Sequence, residues 1–194
     1  MTSQSFTPKQ SLEIISQVIS EARHRFDENG FIYIFWGILI ALASFGQFFL
    51  LQNGRYDIHW YPYLLMPLGA VFTMVYYIRK KSHRKMNIID RIIAVLWNTL
   101  SFYMLILGFV FAGHLKENLL PVILILLSVG SIVSGVTIKS KILLFAGIFI
   151  GLTALFTFYV DLLYQPLVAG ITAIVALLVP GFFMMHQHKQ RNHV

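Results

Sequence analysis

The sequence predicts an all-α integral membrane protein, a six-transmembrane-helix bundle preceded by a cytoplasmic amphipathic helix. Three observations predict it. Apolar residues are gathered into long uninterrupted runs, lysines and arginines alternate between successive connections, and the first thirty residues are polar with apolar side chains at helical spacing. The chain is 57% hydrophobic and only 12% charged, with mean hydropathy +0.72; a soluble domain usually carries about a quarter charged residues. A run of about 20 apolar residues crosses a bilayer as a helix, because each residue rises about 1.5 Å across a hydrocarbon core of about 30 Å. Only helices and closed barrels satisfy their backbone in lipid. Continuous runs, in place of period-two alternation, exclude the barrel.

Residues 1–30 form the first unit. Leu12, Ile15, Val18, Ile19, Ala22 and Phe26 recur at helical spacing, while Glu13, Gln17, Glu21 and Arg25 occupy other faces. Thr7-Pro8-Lys9-Gln10 is a start signal, with Thr7 as N-cap and Pro8 at the first helical position. Asn29-Gly30 is a stop signal. No short apolar core precedes a small-residue cleavage site, so no cleavable signal peptide is expected. Such a helix can pack on its own bundle or lie in the lipid interface. It can also dock a protein partner or a second copy through Leu12, Ile15 and Ile19. Sensing of lipid charge suits it least, because Glu13, Glu21, Asp27 and Glu28 offset its basic residues.

The transmembrane domain is expected over 31–186, with spans near 31–51, 60–78, 92–113, 119–138, 142–160 and 166–185, and a cytoplasmic tail over 187–194. The turn Lys139-Ser140-Lys141 divides what would otherwise be one overlong apolar stretch. Thirteen of the fifteen lysines and arginines fall before span one, between spans two and three, between four and five, or after span six; the exceptions are Arg55 and Lys116. Short loops rich in Lys and Arg stay in the cytoplasm, so both termini are expected there. The same alternation argues against nucleic acid as a partner. A net charge of +7 and a pI near 9.7 would suit one, but no continuous basic face forms.

Three features bear on packing. Pro62, Pro121 and Pro166 each open an even-numbered span, where the missing N–H costs nothing. The run 35–42 resembles the run 145–152, so three tandem helical hairpins are one architecture to test. Gly147 with Gly151, Gly130 with Ser134, and Ser131 with Gly135 are small-xxx-small pairs in spans five and four. Such pairs let helix backbones approach closely, either within the chain or between copies.

Few residues suggest chemistry. The chain has no cysteine, which removes disulfides, thiol catalysis and Cys-based metal sites. No Asp, Glu, Lys, Arg or His lies near the middle of a span; such residues usually mark proton relays and ion-coupled transporters. The embedded polar groups are neutral. Gln47 in span one, with Asn98, Thr99 and Ser101 in span three, can line a polar pocket together with Trp97 and Tyr103, or can serve as interhelical hydrogen-bond partners. On the outer side stand Asp57, His59, His114, Glu117 and Asp161. Imidazole with carboxylate suits a divalent cation, and His114 and Glu117 can share a helix face, but no compact ligand motif is present. His186, His188 and His193 read as a solvated tail. No cofactor is expected, and no nucleotide loop, nucleophile elbow or zinc-hydrolase motif occurs.

The stretch SLEIISQVISEARHRFDENGFIYIFWG, residues 11–37, resembles the opening of small polytopic inner-membrane proteins of bacteria. In those, a polar amphipathic helix runs into a span that begins with Trp-Gly. The resemblance implies a bacterial plasma membrane location and implies no activity. The sequence thus leads to a non-enzymatic interaction, scaffold or regulatory component of the membrane. The alternative is a small facilitator or channel for a neutral or apolar solute.

Overall fold

The computed structural model describes residues 8–28, 30–79 and 87–191, with side chains described over 9–21, 30–79 and 87–186. The proposed cap Thr7, the side chains of Ala22, Phe26 and His188, the basic residues Lys80, Lys81, Arg84 and Lys85, and the tail residue His193 lie outside what is described. Among the described residues all regular structure is helical. The order is α1 (Pro8–Glu28), α2 (Gly30–Gln52), α3 (Leu65–Arg79), α4 (Ile88–Phe109), α5 (Ala112–Leu115), α6 (Leu119–Thr137), α7 (Lys141–Thr157), α8 (Gln165–Ala173) and α9 (Val179–Arg191). A 3-10 turn, Tyr61–Leu64, leads into α3; a second, Lys116–Asn118, leads into α6; a π turn, Ile174–Leu178, joins α8 to α9.

Among the described residues, five helical stretches are long and apolar enough to cross a membrane: Gly30–Gln52, Tyr61–Arg79, Ile88–Phe109, Ala112–Thr137 and Gln165–His186. The apolar helix α7 has 17 residues and is shorter.

Local chemistry sets the ends. The apolar run of the third span begins at Ile92, yet α4 starts at Ile88 because Asn87 caps it. Asp90 N donates to Asn87 Oδ1 at 2.8 Å, and Asn87 N donates to Asp90 Oδ2 at 3.2 Å. This reciprocal box satisfies two orphan donors of the first turn. At the other end α4 stops at Phe109, and the apolar run that continues to Gly113 turns at Val110 and Phe111 into the separate helix α5. In the last span Pro180 has no N–H to offer Ala176 and its ring crowds that carbonyl. The helix widens into the π turn just before it. Between α6 and α7, Ser140 N donates to Gly135 O at 2.8 Å and Lys139 takes a left-handed φ of 53°.

Four segments build the core. α2 runs along α8, the π turn and α9, while α6 runs along the length of α7, and α7 closes against α8. Ala41, Leu127, Ile150, Ala154, Ala173 and Leu177 meet between them. α3 rests on α2, and α4 rests on α6, each at the margin of the bundle. α1 lies against α9 and touches α4 and α2; Asn87 Nδ2 donates to Val18 O at 3.3 Å across this contact. A second apolar cluster of Ile93, Ile138, Leu143 and Met184 sits at the α1 end of the bundle.

Small residues set the closest seams. A Cβ on Gly37 would stand 2.8 Å from Leu178 N, one on Gly135 2.5 Å from Leu144 N, and one on Gly147 2.7 Å from Ile132 N. Ser128 Oγ donates to Gly147 O at 2.8 Å inside the α6–α7 seam. The small pairs of α6 therefore divide. Gly135 with Ser131 faces α7, whereas Gly130 and Ser134 face α4.

That division exposes a repeat. Trp36 Nε1 on α2 donates to Thr73 Oγ1 on α3 at 3.1 Å, and Trp97 Nε1 on α4 donates to Ser134 Oγ on α6 at 3.0 Å; the partners are 37 residues apart in both. Beside the first clasp, Leu39 and the Trp36 ring fill the space that a Cβ on Gly69 would need. Beside the second, Leu100 and the Trp97 ring do the same at Gly130. Every member recurs 61 positions later: 36 to 97, 39 to 100, 69 to 130, 73 to 134. The likeness joins the hairpins α2–α3 and α4–α6; the run-to-run match between 35–42 and 145–152 has no such set of contacts among the described residues.

Candidate functional site

The strongest polar assembly among the described residues lies at the end of the bundle remote from α1. It grows from one face of α2. Ser44 and Gln47 are three residues apart and therefore neighbours on a helix. Both are buried. After Gln52 the chain reverses, with Gly54 at φ 71°, where glycine alone avoids a steric penalty. The returning segment lays His59, Pro62 and Tyr63 back on α2. The Pro62 ring sits where a Cβ on Gly46 would come within 3.2 Å.

Two hydrogen bonds join the layers. Gln47 Nε2 stands 2.9 Å from His59 Nδ1. An amide nitrogen can only donate, so Nδ1 accepts and the ring proton sits on Nε2. Ser44 Oγ and Tyr63 OH are 3.2 Å apart. His59 is half-buried, and desolvation lowers its pKa from the ordinary imidazole value, so the neutral ring is favoured. Gln47 Oε1 is buried without a hydrogen-bond partner among the described residues, as is Gln165 Oε1 at the start of α8. Gln165 Nε2 donates to Val160 O at 3.1 Å.

The candidate residues thus regroup. Gln47, read as a pocket member, and His59, read as a metal ligand, are partners of one another. Asn98 and Thr99 do not join Gln47. They are exposed on α4, and Ser101 is half-buried. Trp97 turns toward α6 and Tyr103 is exposed, so among the described residues the polar side chains of α4 point to different sides of the helix. The reason is angular. Trp97 and Leu100 hold the α6 face, and residues 98 and 99 lie on the opposite half of the helix.

The remaining outer residues stay apart. His114 closes α5, 6.0 Å from the Phe111 ring, and Glu117 lies in the following 3-10 turn. Lys116, at φ 48°, breaks the helix between them, so His114 and Glu117 share no continuous helix face. Asp57, Glu117 and Asp161 are exposed. Among the described residues, no group of three or more His, Asp and Glu side chains is placed to hold a metal ion. The Gln47–His59 pair locks the loop to α2.

One cavity, between α2, α6, α7 and α8, measures about 10 Å³ and is lined by apolar side chains such as Ile40, Leu127 and Leu177 with Thr172. A single water needs at least about that much.

α1 is the other candidate surface. Leu12 and Ile15 are 67% and 56% exposed, although the helix lies against the bundle; Val18 and Ile19 are half-buried.

The two tryptophan clasps and the Gln47–His59 pair join residues far apart in the chain and emerge as contacts only in the fold. The spacing Trp-x-x-Leu, followed by Gly-x-x-x-Thr in one hairpin and Gly-x-x-x-Ser in the other, was the available signal. Comparison of the chain with protein-family models, with curated proteins and with solved structures gave no match.

Proposed function

We propose that this chain is a six-span protein of a bacterial plasma membrane, with both termini in the cytoplasm, that acts as a non-enzymatic interaction or regulatory component. Its α1 docks a protein partner. One observation carries the reading: Leu12 and Ile15 stay exposed on a helix that already rests on the bundle. An amphipathic helix that served only to pack on its own spans would bury them. Exposed apolar side chains outside the spans are a docking surface or an interfacial one. Glu13 and Glu21 on the same helix disfavour an anionic lipid surface.

The six-span reading includes α7, whose 17 residues are extended by the turns at either end. The cytoplasmic placement of α1 rests on the lysine and arginine distribution. The alternative is a small facilitator or channel for a neutral or apolar solute; Gln47 is buried as that reading asks, while Asn98 and Thr99 are exposed on α4.

The test is affinity capture from native membranes with the full chain and with a Leu12→Ser, Ile15→Ser, Ile19→Ser variant. The expected result is a partner that is lost from the variant while its insertion is unchanged. A partner retained at full yield by a correctly inserted variant would refute the docking role of α1.

A further inference from the structure

We infer that the outward face of α4 is an interface between two copies of this chain, paired through Asn98 and Thr99. The residues come from the middle of a helix that is long and apolar enough to span a membrane. α4 touches the bundle on one side only, through Ile93, Trp97 and Leu100. On the other side Ile88, Val95, Phe102 and Phe109 are exposed at intervals of seven, with Asn98 and Thr99 among them. A seven-residue apolar repeat is the pattern of a helix seam.

The polar pair is what lipid cannot cover. Asn98 Nδ2 donates to Ala94 O at 2.8 Å, and its Oδ1 accepts nothing among the described residues. Thr73, Thr137, Thr153, Thr157 and Thr172 each donate to the carbonyl four residues back. Thr99, alone among threonines in the described helices, makes no such bond. Hydrocarbon offers neither group a partner, whereas a neighbouring helix does.

The hairpin repeat points the same way. Gly37 on α2 is the counterpart of Asn98, 61 positions earlier. There α2 is covered by the last span, close against Leu178 at the end of the π turn. The corresponding face of α4 is exposed among the described residues. α3, the other marginal helix, presents no comparable need: its Thr73 is bonded to Gly69 O and Trp36.

A second copy is the occupant that fits. Two copies inserted the same way are related by a two-fold axis along the membrane normal. Their α4 helices then run parallel and in register, so each residue meets itself. An amide carries both donors and acceptors and is complementary to its own copy; the embedded part of this face, from Ile92 to Phe109, carries no charge that would select a different chain. This surface is separate from α1 and does not depend on its role.

The absence of cysteine makes the test direct. Val95→Cys and Phe102→Cys are placed on separate full-length chains and oxidised in native membranes. Leu68→Cys on α3, equally exposed, is the control. The expected result is a disulfide-linked homodimer from both α4 positions and little from position 68. Adding Asn98→Leu and Thr99→Val should lower the crosslinked fraction about threefold or more. Crosslinking at 95 and 102 no greater than at 68, products joined to a different protein, or homodimers insensitive to the polar replacements would each overturn the inference.

Discussion

Replacing Gly147 by alanine tests whether the α6–α7 seam is held by backbone contact. The new methyl would stand 2.7 Å from Ile132 N, 2.7 Å from Ile132 Cγ1 and 3.1 Å from Ser131 C. Ordinary contact begins at 3.4 Å, so the helices must part by roughly 0.7 Å at that point. Two of the three atoms are backbone, which no rotamer change can move aside. Overpacking of this kind costs about 1–3 kcal/mol. Parting the helices also stretches the Ser128 Oγ–Gly147 O bond, worth about 0.6 kcal/mol in a membrane protein. Alanine returns up to about 1 kcal/mol in helix propensity. The net expectation is a loss of about 1–2 kcal/mol. Gly108→Ala in α4 is the comparison, because nothing lies within 4 Å of its Cβ position; there only the propensity gain remains. The assay is reversible unfolding of the purified chain from mild detergent into dodecyl sulfate, followed by circular dichroism and tryptophan fluorescence. If Gly147→Ala matches Gly108→Ala within about 0.5 kcal/mol, the close approach of α6 and α7 is not what stabilises the hairpin.

Two further perturbations follow. Trp36→Phe and Trp97→Phe keep most of the ring packing and remove the donors to Thr73 and Ser134; each should cost about 0.5–1.5 kcal/mol. In a double-mutant cycle, Trp97→Phe with Ser134→Ala should be clearly non-additive, and Trp97→Phe with Thr73→Ala additive. At the other end of the bundle, His59 titrates below the ordinary imidazole value because it is desolvated. Its neutral form stabilises the folded loop above the unfolded value, and that contribution is lost as pH falls through the folded value. Fluorescence of the neighbouring Trp60 should therefore change with a midpoint below that of a free imidazole. The change should be absent from His59→Gln; a chain whose Trp60 signal is flat through the acid range would refute the anchoring role of the Gln47–His59 pair.

The parts of this fold readable from the sequence were those governed by local chemistry. Hydropathy marks which segments escape water, because each apolar residue responds to its own surroundings. The cap residues of α4 were also present in the sequence, but Asp90 and Arg91 made the apolar run look as though it started later. His114 and Glu117 misled for a related reason: their spacing suits one helix, and the left-handed Lys116 between them has no signature that spacing can reveal.

The sequence by itself determined that this chain is helical and apolar, where its long runs lie, and that no charge sits within them. Tertiary structure alone decided which side each run presents to a neighbour. It turned Trp97 toward Ser134 and left Asn98 facing out, and it joined Gln47 to His59 across a reversed loop. The physical reason lies in the surroundings. In water a buried face differs from an exposed one in polarity. In a bilayer, lipid and a neighbouring helix are equally apolar, so composition cannot tell them apart, and only close backbone approach and paired polar groups decide the packing.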